Sequence, residues 1–201
     1  MKIGINLDGV LIDKRSFQYK YGLKYFGKHL GDINEFAYSF CDMFNCTKEE
    51  ENDFWNKYYI KYYLHSKIET DILECLKTLQ EKGYEIFIFT SKNILIEDSI
   101  KGSFYRYLLN IWLKYNNVSY DNLVYCNENN FLEQKLKSCM ENKIDYMIED
   151  FIPNSIVLSK ICNVILYDRP YNIGYSYLTR INNFNEILNL IEKKEKEKLK
   201  K

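Results

Sequence analysis

Several stretches of this chain place oxygen- and nitrogen-bearing side chains at or just after the end of an apolar run. The run "KIGIN" ends in Asn6 and leads into Leu7, Asp8 and Gly9; "YEIFIF" leads into Thr90, Ser91 and Lys92; and "YMI" leads into Glu149 and Asp150. Lys135 stands in the charged segment "FLEQKLKSCMENK". Oxygen ligands of this kind suit Mg²⁺, which takes one or two carboxylates and leaves its other positions to water and phosphate. The hydroxyls and ammonium groups suit the phosphate itself. Each group alone has an ordinary explanation. Asn6 and Asp8 can cap a turn bent at Gly9, Thr90-Ser91 can be a turn, Glu149-Asp150 can be a solvated pair, and Lys135 lies among other charges. Their order at successive run ends is what reads as a site.

The elements that must position these groups follow from the apolar pattern. The runs "KIGINL" (2–7), "YEIFIF" (84–89), "NLVYC" (122–126), "YMI" (146–148) and "NVILY" (163–167) are nearly continuous in apolar residues, as strands buried on both faces of a parallel sheet are. Between them, "DILECLKTLQEKG" carries Ile72, Leu73, Leu76 and Leu79 at helical spacing with Gly83 as a stop, and "FLEQKLKSCMENK" and "IPNSIVLSK" read the same way. Alternating strand and helix implies an α/β fold, a three-layer Rossmann-like parallel sheet with right-handed crossovers. In such sheets ligands bind beyond the carboxyl ends of the strands, where the groups above would gather.

One interval breaks the alternation. No strand-like run lies between the first strand and residue 84, a connection far longer than a crossover needs. "SFQYKYGLKYF" and "INEFAYSFCDMF" carry aromatics at three- and four-residue spacing, and Thr47-Lys48-Glu49-Glu50 is a capping box opening "EEENDFWNKYYIKYYLH". The spacing predicts a helical cap insertion over 14–66, seated on the carboxyl edge of a core made of 1–13 and 67–201. Its aromatics Phe36, Tyr38, Phe40, Phe44, Phe54, Trp55, Tyr58 and Tyr59 read first as the core of that insertion, with one or two sufficient to hold a base. The run "EKKEKEKLKK" at the end reads as a charged, solvated helix end.

Composition excludes several classes. The 28 basic and 28 acidic residues cancel, so no global field draws the chain to a nucleic acid polymer or an anionic membrane. The six cysteines form no C-x-x-C pair, and His29 and His65 lie far from ligand-like spacing, which argues against zinc. No run approaches a membrane span and nothing at the N-terminus reads as a signal peptide, so the expected compartment is the cytoplasm, with reduced thiols.

The same residues carry a resemblance. "NLDGV" resembles the first motif, D-x-D-G-T/V, of the haloacid dehalogenase-like phosphohydrolases; "IFIFTSK" resembles the second, Lys135 the third, and "YMIEDFIPN" the acidic fourth. "VILYDRPYN" followed by "TRINNFNEILNLI" further resembles the bacterial branch of the 5′(3′)-deoxyribonucleotidases. The resemblance implies a phosphatase acting on a small phosphorylated metabolite, a nucleotide monophosphate, through an aspartyl-phosphate. Asp8 would be general acid and then base, Thr90 and Ser91 would meet the phosphoryl oxygens, Lys92 the phosphate or ribose, and Lys135 the charge spread on the phosphoryl group. Mg²⁺ would be held by Asp150, the Asp8 carbonyl and the side chain at position 6, with Glu149 orienting its waters. Position 6, where the nucleophilic aspartate belongs, holds Asn6. That amide marks either an aspartate replaced so as to trap a ligand or a natural loss of catalysis with binding retained. A non-catalytic phospho-ligand-binding module and a sugar-phosphate phosphatase are the rival readings, and assembly as a homodimer stays open.

Overall fold

The structure is a computed structural model that describes every residue except 67, 69, 128, 129 and 199–201, together with the side chains of 194, 195, 197 and 198. The expected core boundary at 67 and the last residues of the C-terminal charged run lie outside the described residues. Strand β1 is Lys2–Asn6. It is followed by helices α1 (Lys14–Phe26), α2 (Phe40–Phe44), α3 (Lys48–His65) and α4 (Thr70–Glu81) before the chain enters β2 (Glu85–Thr90). Then come α5 (Asn93–Ile96), α6 (Ile100–Tyr115), β3 (Asn122–Tyr125), α7 (Phe131–Asn142), β4 (Tyr146–Glu149) and α8 (Ile152–Leu158). Strands β5 (Asn163–Tyr167) and β6 (Thr179–Ile181) and helix α9 (Asn185–Lys198) complete the order.

The six strands form one sheet in the order β3-β2-β1-β4-β5-β6, and every pairing is parallel. The order reverses at β1, so the chain runs outward on one side to β3 and on the other to β6. That reversal opens a crevice at the carboxyl ends of β1 and its neighbours. β1 and β4 are covered on both faces, and Ile3, Ile5, Ile88 and Ile148 are fully buried, as a continuous apolar strand requires. This is the α/β Rossmann-like sheet that the sequence predicts.

Local sequence explains most helix ends. Thr47 accepts from the Glu50 N–H while the Glu50 carboxylate accepts from the Thr47 N–H at 2.8 Å, the capping box read from the sequence. Asp13 caps α1 by accepting from the Ser16 N–H at 3.0 Å, and Gly27 closes it in the left-handed conformation. Helices α1 and α3 pack through rings: Phe17 meets Tyr62 edge-on with centroids 5.1 Å apart, and Tyr25 meets Phe54 at 5.6 Å.

Three differences from the sequence expectations have physical reasons. "INEFAYSFCDMF" is helical only over Phe40–Phe44, because Asn34 Oδ1 accepts from the Phe36 N–H at 3.1 Å and forms an Asx-type turn, and Ser39 then caps the short helix that follows. Helix α6 was not singled out, although Ser99 caps it and Tyr105, Leu109, Trp112 and Leu113 form its buried face. Strand β6 has no alternating or continuous apolar signal in its three residues and is specified by its pairing with β5. Among the described residues no helix is long and apolar enough to cross a membrane, and all six cysteines are free.

Candidate active site

The register brings the predicted residues to adjoining strand tips. Asn6 is the last residue of β1 and pairs with Phe89, so the chain beyond it runs beside Thr90. Ile5 pairs with Ile148, which sets Asn6 beside Glu149. Lys135 approaches from α7, fully buried against the rings of Phe131 and Phe89 at 4.8 and 5.7 Å. Its Nζ donates to Asn6 Oδ1 at 3.1 Å and lies 3.2 Å from Glu149 Oε1. The Glu149 carboxylate also accepts from Asn154 Nδ2 at 2.8 Å. Burial pushes its carboxyl above the usual carboxylate range, against the opposing pull of Lys135.

The Asn6 amide has only one workable orientation. Its oxygen faces the donor-only ammonium of Lys135, and its nitrogen donates to the Asp8 carbonyl at 2.7 Å and to Asp150 Oδ1 at 2.9 Å. Asp150 Oδ2 accepts from the Tyr171 hydroxyl, and the Asp150 carbonyl accepts from Asn172 Nδ2 at 2.7 Å. Gly9 is required where it stands, since its φ is +89° and a Cβ there would overlap the Asp150 carboxylate. Arg169 Nε holds the Gly9 carbonyl at 2.6 Å.

Asp8 is gripped from helix α3. The Tyr62 hydroxyl of α3 donates to Asp8 Oδ1, and Lys92 Nζ lies 3.4 Å from the same oxygen. Lys92 is ringed by Tyr62, Trp55 and Tyr59, with Nζ 4.4, 5.0 and 5.0 Å from their centroids. Burial first, and the facing carboxylates next, push the Tyr62 and Tyr171 hydroxyls well above the usual phenol range, so both act as donors at any ordinary pH. Thr90 is buried at the tip of β2 with no hydrogen-bond partner for its Oγ1.

Asn6, Asp8, Gly9, Asp150, Asn154 and Tyr171 border a cleft of about 820 Å³, which Ser91, Lys92, Tyr38, Trp55 and Tyr59 also line, while Lys135, Glu149 and Thr90 are buried at the strand tips. Tyr38 stacks on Phe151 at 3.8 Å between centroids. Of the aromatics read as insertion core, Phe40, Phe44, Phe54 and Tyr58 are buried, Phe36 is exposed, and Tyr38, Trp55 and Tyr59 border the cleft. Sequence reasoning placed Asn6, Asp8, Thr90, Ser91, Lys92, Lys135, Glu149 and Asp150, and the structure gathers them at one sheet edge. It missed Tyr62, Asn154, Arg169, Tyr171 and Asn172. Tyr62 lay in the aromatic run of α3 and Arg169 to Asn172 in the "YDRPYN" stretch, but neither pattern signals a long-range bond to Asp8, Gly9 or Asp150.

A divalent cation at this edge would take the Asp8 carbonyl and Asp150 Oδ1, the two oxygens the Asn6 nitrogen occupies. The Asn6 oxygen points away, toward Lys135. As the side chains stand, the donor set does not fit Mg²⁺, which demands near-octahedral oxygen ligands. Among the described residues no group of three His, Cys, Asp or Glu side chains could hold a metal. The anion side fits better: Ser91 and Lys92 line the cleft, and the buried Thr90 hydroxyl at the adjoining strand tip has no partner, donors of the kind a phosphate takes.

The all-parallel sheet that reverses at β1, with polar groups gathered at the tips of β1, β2 and β4, is a fold that solved structures, HAD-superfamily hydrolases among them, share over nearly the entire chain. A HAD-superfamily hydrolase of subfamily IA, variant 1, from Geobacter sulfurreducens superposes with a TM-score of 0.61 at 14% identity, covering 94% of this chain and 95% of that one. Protein tyrosine kinase A of Mycobacterium tuberculosis superposes with a TM-score of 0.66 at 12% identity, covering 94% and 96%. D,D-heptose 1,7-bisphosphate phosphatase from B. bronchiseptica, in complex with magnesium and phosphate, superposes with a TM-score of 0.55 at 8% identity, covering 96% and 99%. No protein-family model matches the chain, and no curated protein matches it by sequence. Identities this low establish the fold, and a fold that carries both a kinase and a phosphatase by name leaves the reaction to be argued from the site.

Proposed function

We propose that this chain is a phosphohydrolase-type protein whose site takes the phosphate of a small phosphomonoester, a nucleotide monophosphate, and that Asn6 halts it before phosphoryl transfer. One observation carries the reading: Lys135 is fully buried and bonded to Asn6 and Glu149, and Thr90, one residue beyond the Phe89 that pairs with Asn6, has a buried hydroxyl with no partner. A buried ion pair is a poor way to stabilise a fold, since apolar residues of similar volume do as well or better. Its position at the strand tips therefore argues for an anionic ligand.

Each residue has a task in this reading. Lys135 and Thr90 bind phosphoryl oxygens, Ser91 adds a donor, and Lys92 balances the charge near Asp8. Asp8 faces the leaving oxygen, placed to pass a proton to it as it departs. The segment 14–66 serves as the cap, since Tyr62 already ties α3 to Asp8 and Trp55 and Tyr59 border the cleft, offering faces on which a base can stack. The free thiols accord with a reducing cytoplasm. The amide nitrogen of Asn6 shares its electron pair with its carbonyl and does not attack phosphorus, so binding outlives turnover. The decisive experiment is phosphate release by Asn6→Asp, with Mg²⁺ present, from an aryl phosphate and a panel of nucleotide and sugar monophosphates. Silence across the whole panel from a folded variant removes the hydrolase reading.

A further inference from the structure

We propose that the Asn6 amide takes the place of a divalent cation, so that this chain orders its strand tips and receives a phosphate without Mg²⁺. The inference rests on reading this sheet edge as the phosphate site of a phosphohydrolase fold, and hydrogen-bond inventory carries it. A carboxylate at position 6 offers two acceptor oxygens, one for Lys135 and one for a cation between Asp150 and the Asp8 carbonyl. An amide offers one acceptor and one two-proton donor. Lys135 has no acceptor function and no solvent to turn to, and it takes the single oxygen at 3.1 Å. The Asp150 carboxylate oxygen and the Asp8 carbonyl accept only, and they take the two amide protons at 2.9 and 2.7 Å.

Every member of this cluster is thus satisfied by the protein itself. Turning the amide to offer its oxygen to a cation would set its NH₂ against the Lys135 ammonium in a buried site, which is costly. Asp150 offers no easy alternative, because Tyr171 holds its second oxygen and Asn172 its carbonyl. Mg²⁺ sheds its waters reluctantly and would have to displace these donors for a single carboxylate. With aspartate at position 6 the balance reverses. Its second oxygen would face Asp150 Oδ1 and the Asp8 carbonyl, three acceptors with no proton among them, and a metal cation or an added proton would be needed to relieve them. Ser91 and Lys92 line the cleft and the Thr90 hydroxyl has no partner, so donors for a phosphate are at hand in either case.

The test combines Mn²⁺ titration followed by electron paramagnetic resonance, with Mg²⁺ competing, and thermal melting of the unaltered chain and of Asn6→Asp. Melting is run in EDTA and in Mg²⁺, each with and without inorganic phosphate. The unaltered chain is expected to hold the metal at least about 100-fold more weakly than Asn6→Asp, a loss on the scale of disturbed metal sites. Its Tm is expected to be the same in EDTA and Mg²⁺ and to rise equally with phosphate in both, whereas Asn6→Asp melts lower in EDTA and recovers with Mg²⁺. Metal affinities within tenfold of each other, or phosphate stabilisation of the unaltered chain that needs Mg²⁺, overturn the inference and leave the phosphohydrolase reading standing. Phosphate that moves neither chain in either buffer overturns the phosphate site itself. Should Asn6→Asp not fold, titration of the unaltered chain decides: a dissociation constant below about 1 mM overturns the inference.

Discussion

The Lys135 ammonium lies 3.2 Å from Glu149 Oε1, and neither side chain has any exposed surface. Breaking such a pair by removing one partner leaves an uncompensated buried charge. Lys135→Met is therefore expected to cost about 3–5 kcal/mol in urea unfolding. Replacing both partners, Lys135→Met with Glu149→Leu, is expected to cost less than the sum of the single changes, because no charge is then left behind. Additive losses would mean that the two groups are not coupled.

Gly9 and Gly83 both hold positive φ, +89° and +81°, but only Gly9 faces a side chain where its Cβ would go. Gly83→Ala meets open space and is expected to cost about 1–2 kcal/mol for the left-handed backbone alone. Gly9→Ala adds overlap with Asp150, whose Cγ would lie 2.6 Å from the new atom, and is expected to exceed that figure and to weaken phosphate binding as well. Denaturation midpoints of the two variants check the difference.

The contrast between these glycines shows what was legible in the sequence. Asp8-Gly9 after an apolar run announced a bent strand tip, and Thr90, Lys135 and Asp150 announced charge and hydroxyl at other tips, because strand runs are local patterns and the α/β rule says where their ends meet. The partners that fix those groups were not legible. Tyr62 lies 54 residues from Asp8 and Tyr171 lies 21 from Asp150, and no periodicity encodes such bonds. Strand β6 was hidden for the same reason, since Thr179-Arg180-Ile181 acquires strand geometry from β5 and from Arg180, whose Nη1 donates to the Asn172 carbonyl at 2.9 Å. The orientation of the Asn6 amide follows only once Lys135 is seen on one side of it and Asp150 on the other.

Tyr62→Phe keeps the buried ring, and so its contacts with Phe17 and Trp55, while removing the hydroxyl that donates to Asp8. A hydrogen bond to a charged acceptor contributes about 1.5–3 kcal/mol, which is the expected loss of stability. Hydrogen exchange should quicken along Lys48–His65 and stay unchanged in β4 and β5. A uniform change across the chain would mean that Tyr62 only fills space and does not pin α3 to the strand tips.

Alkaline pH should weaken the fold. Burial pushes the Cys75 and Cys139 thiols up to about 12 and those of Cys126 and Cys162 to about 11, while unfolded thiols titrate near 8.5. Between those values the unfolded chain has released protons that the folded chain still binds. Stability is therefore full below about pH 8.5 and falls as pH rises toward 11 and 12. The buried Tyr62 and Tyr63 hydroxyls are raised too and act with the same sign. Urea midpoints at pH 7.5 and 10.5 under reducing conditions test this, and a midpoint that does not fall at the higher pH would refute it.

Placing a carboxylate at position 6 tests the site most directly. With Mg²⁺ present to relieve the facing acceptors of Asp150 and the Asp8 carbonyl, Asn6→Asp supplies an oxygen nucleophile beside Lys135, so turnover of a phosphomonoester is expected to rise by about 10³ to 10⁶. Adding Asp8→Asn should remove most of that gain, because the leaving oxygen would then depart unprotonated and the attacking water would find no base. The pair separates two causes of silence. If Asn6→Asp is active and the double variant is not, Asp8 does proton work and Asn6 alone stops the unaltered chain. If the double variant matches Asn6→Asp, Asp8 serves only to hold Tyr62 and Lys92, and the proton must come from another group at this edge. Contaminating phosphatase is the background to control, and Lys135→Met in the Asn6→Asp chain, prepared identically, is the blank: phosphate release that survives it does not come from this site.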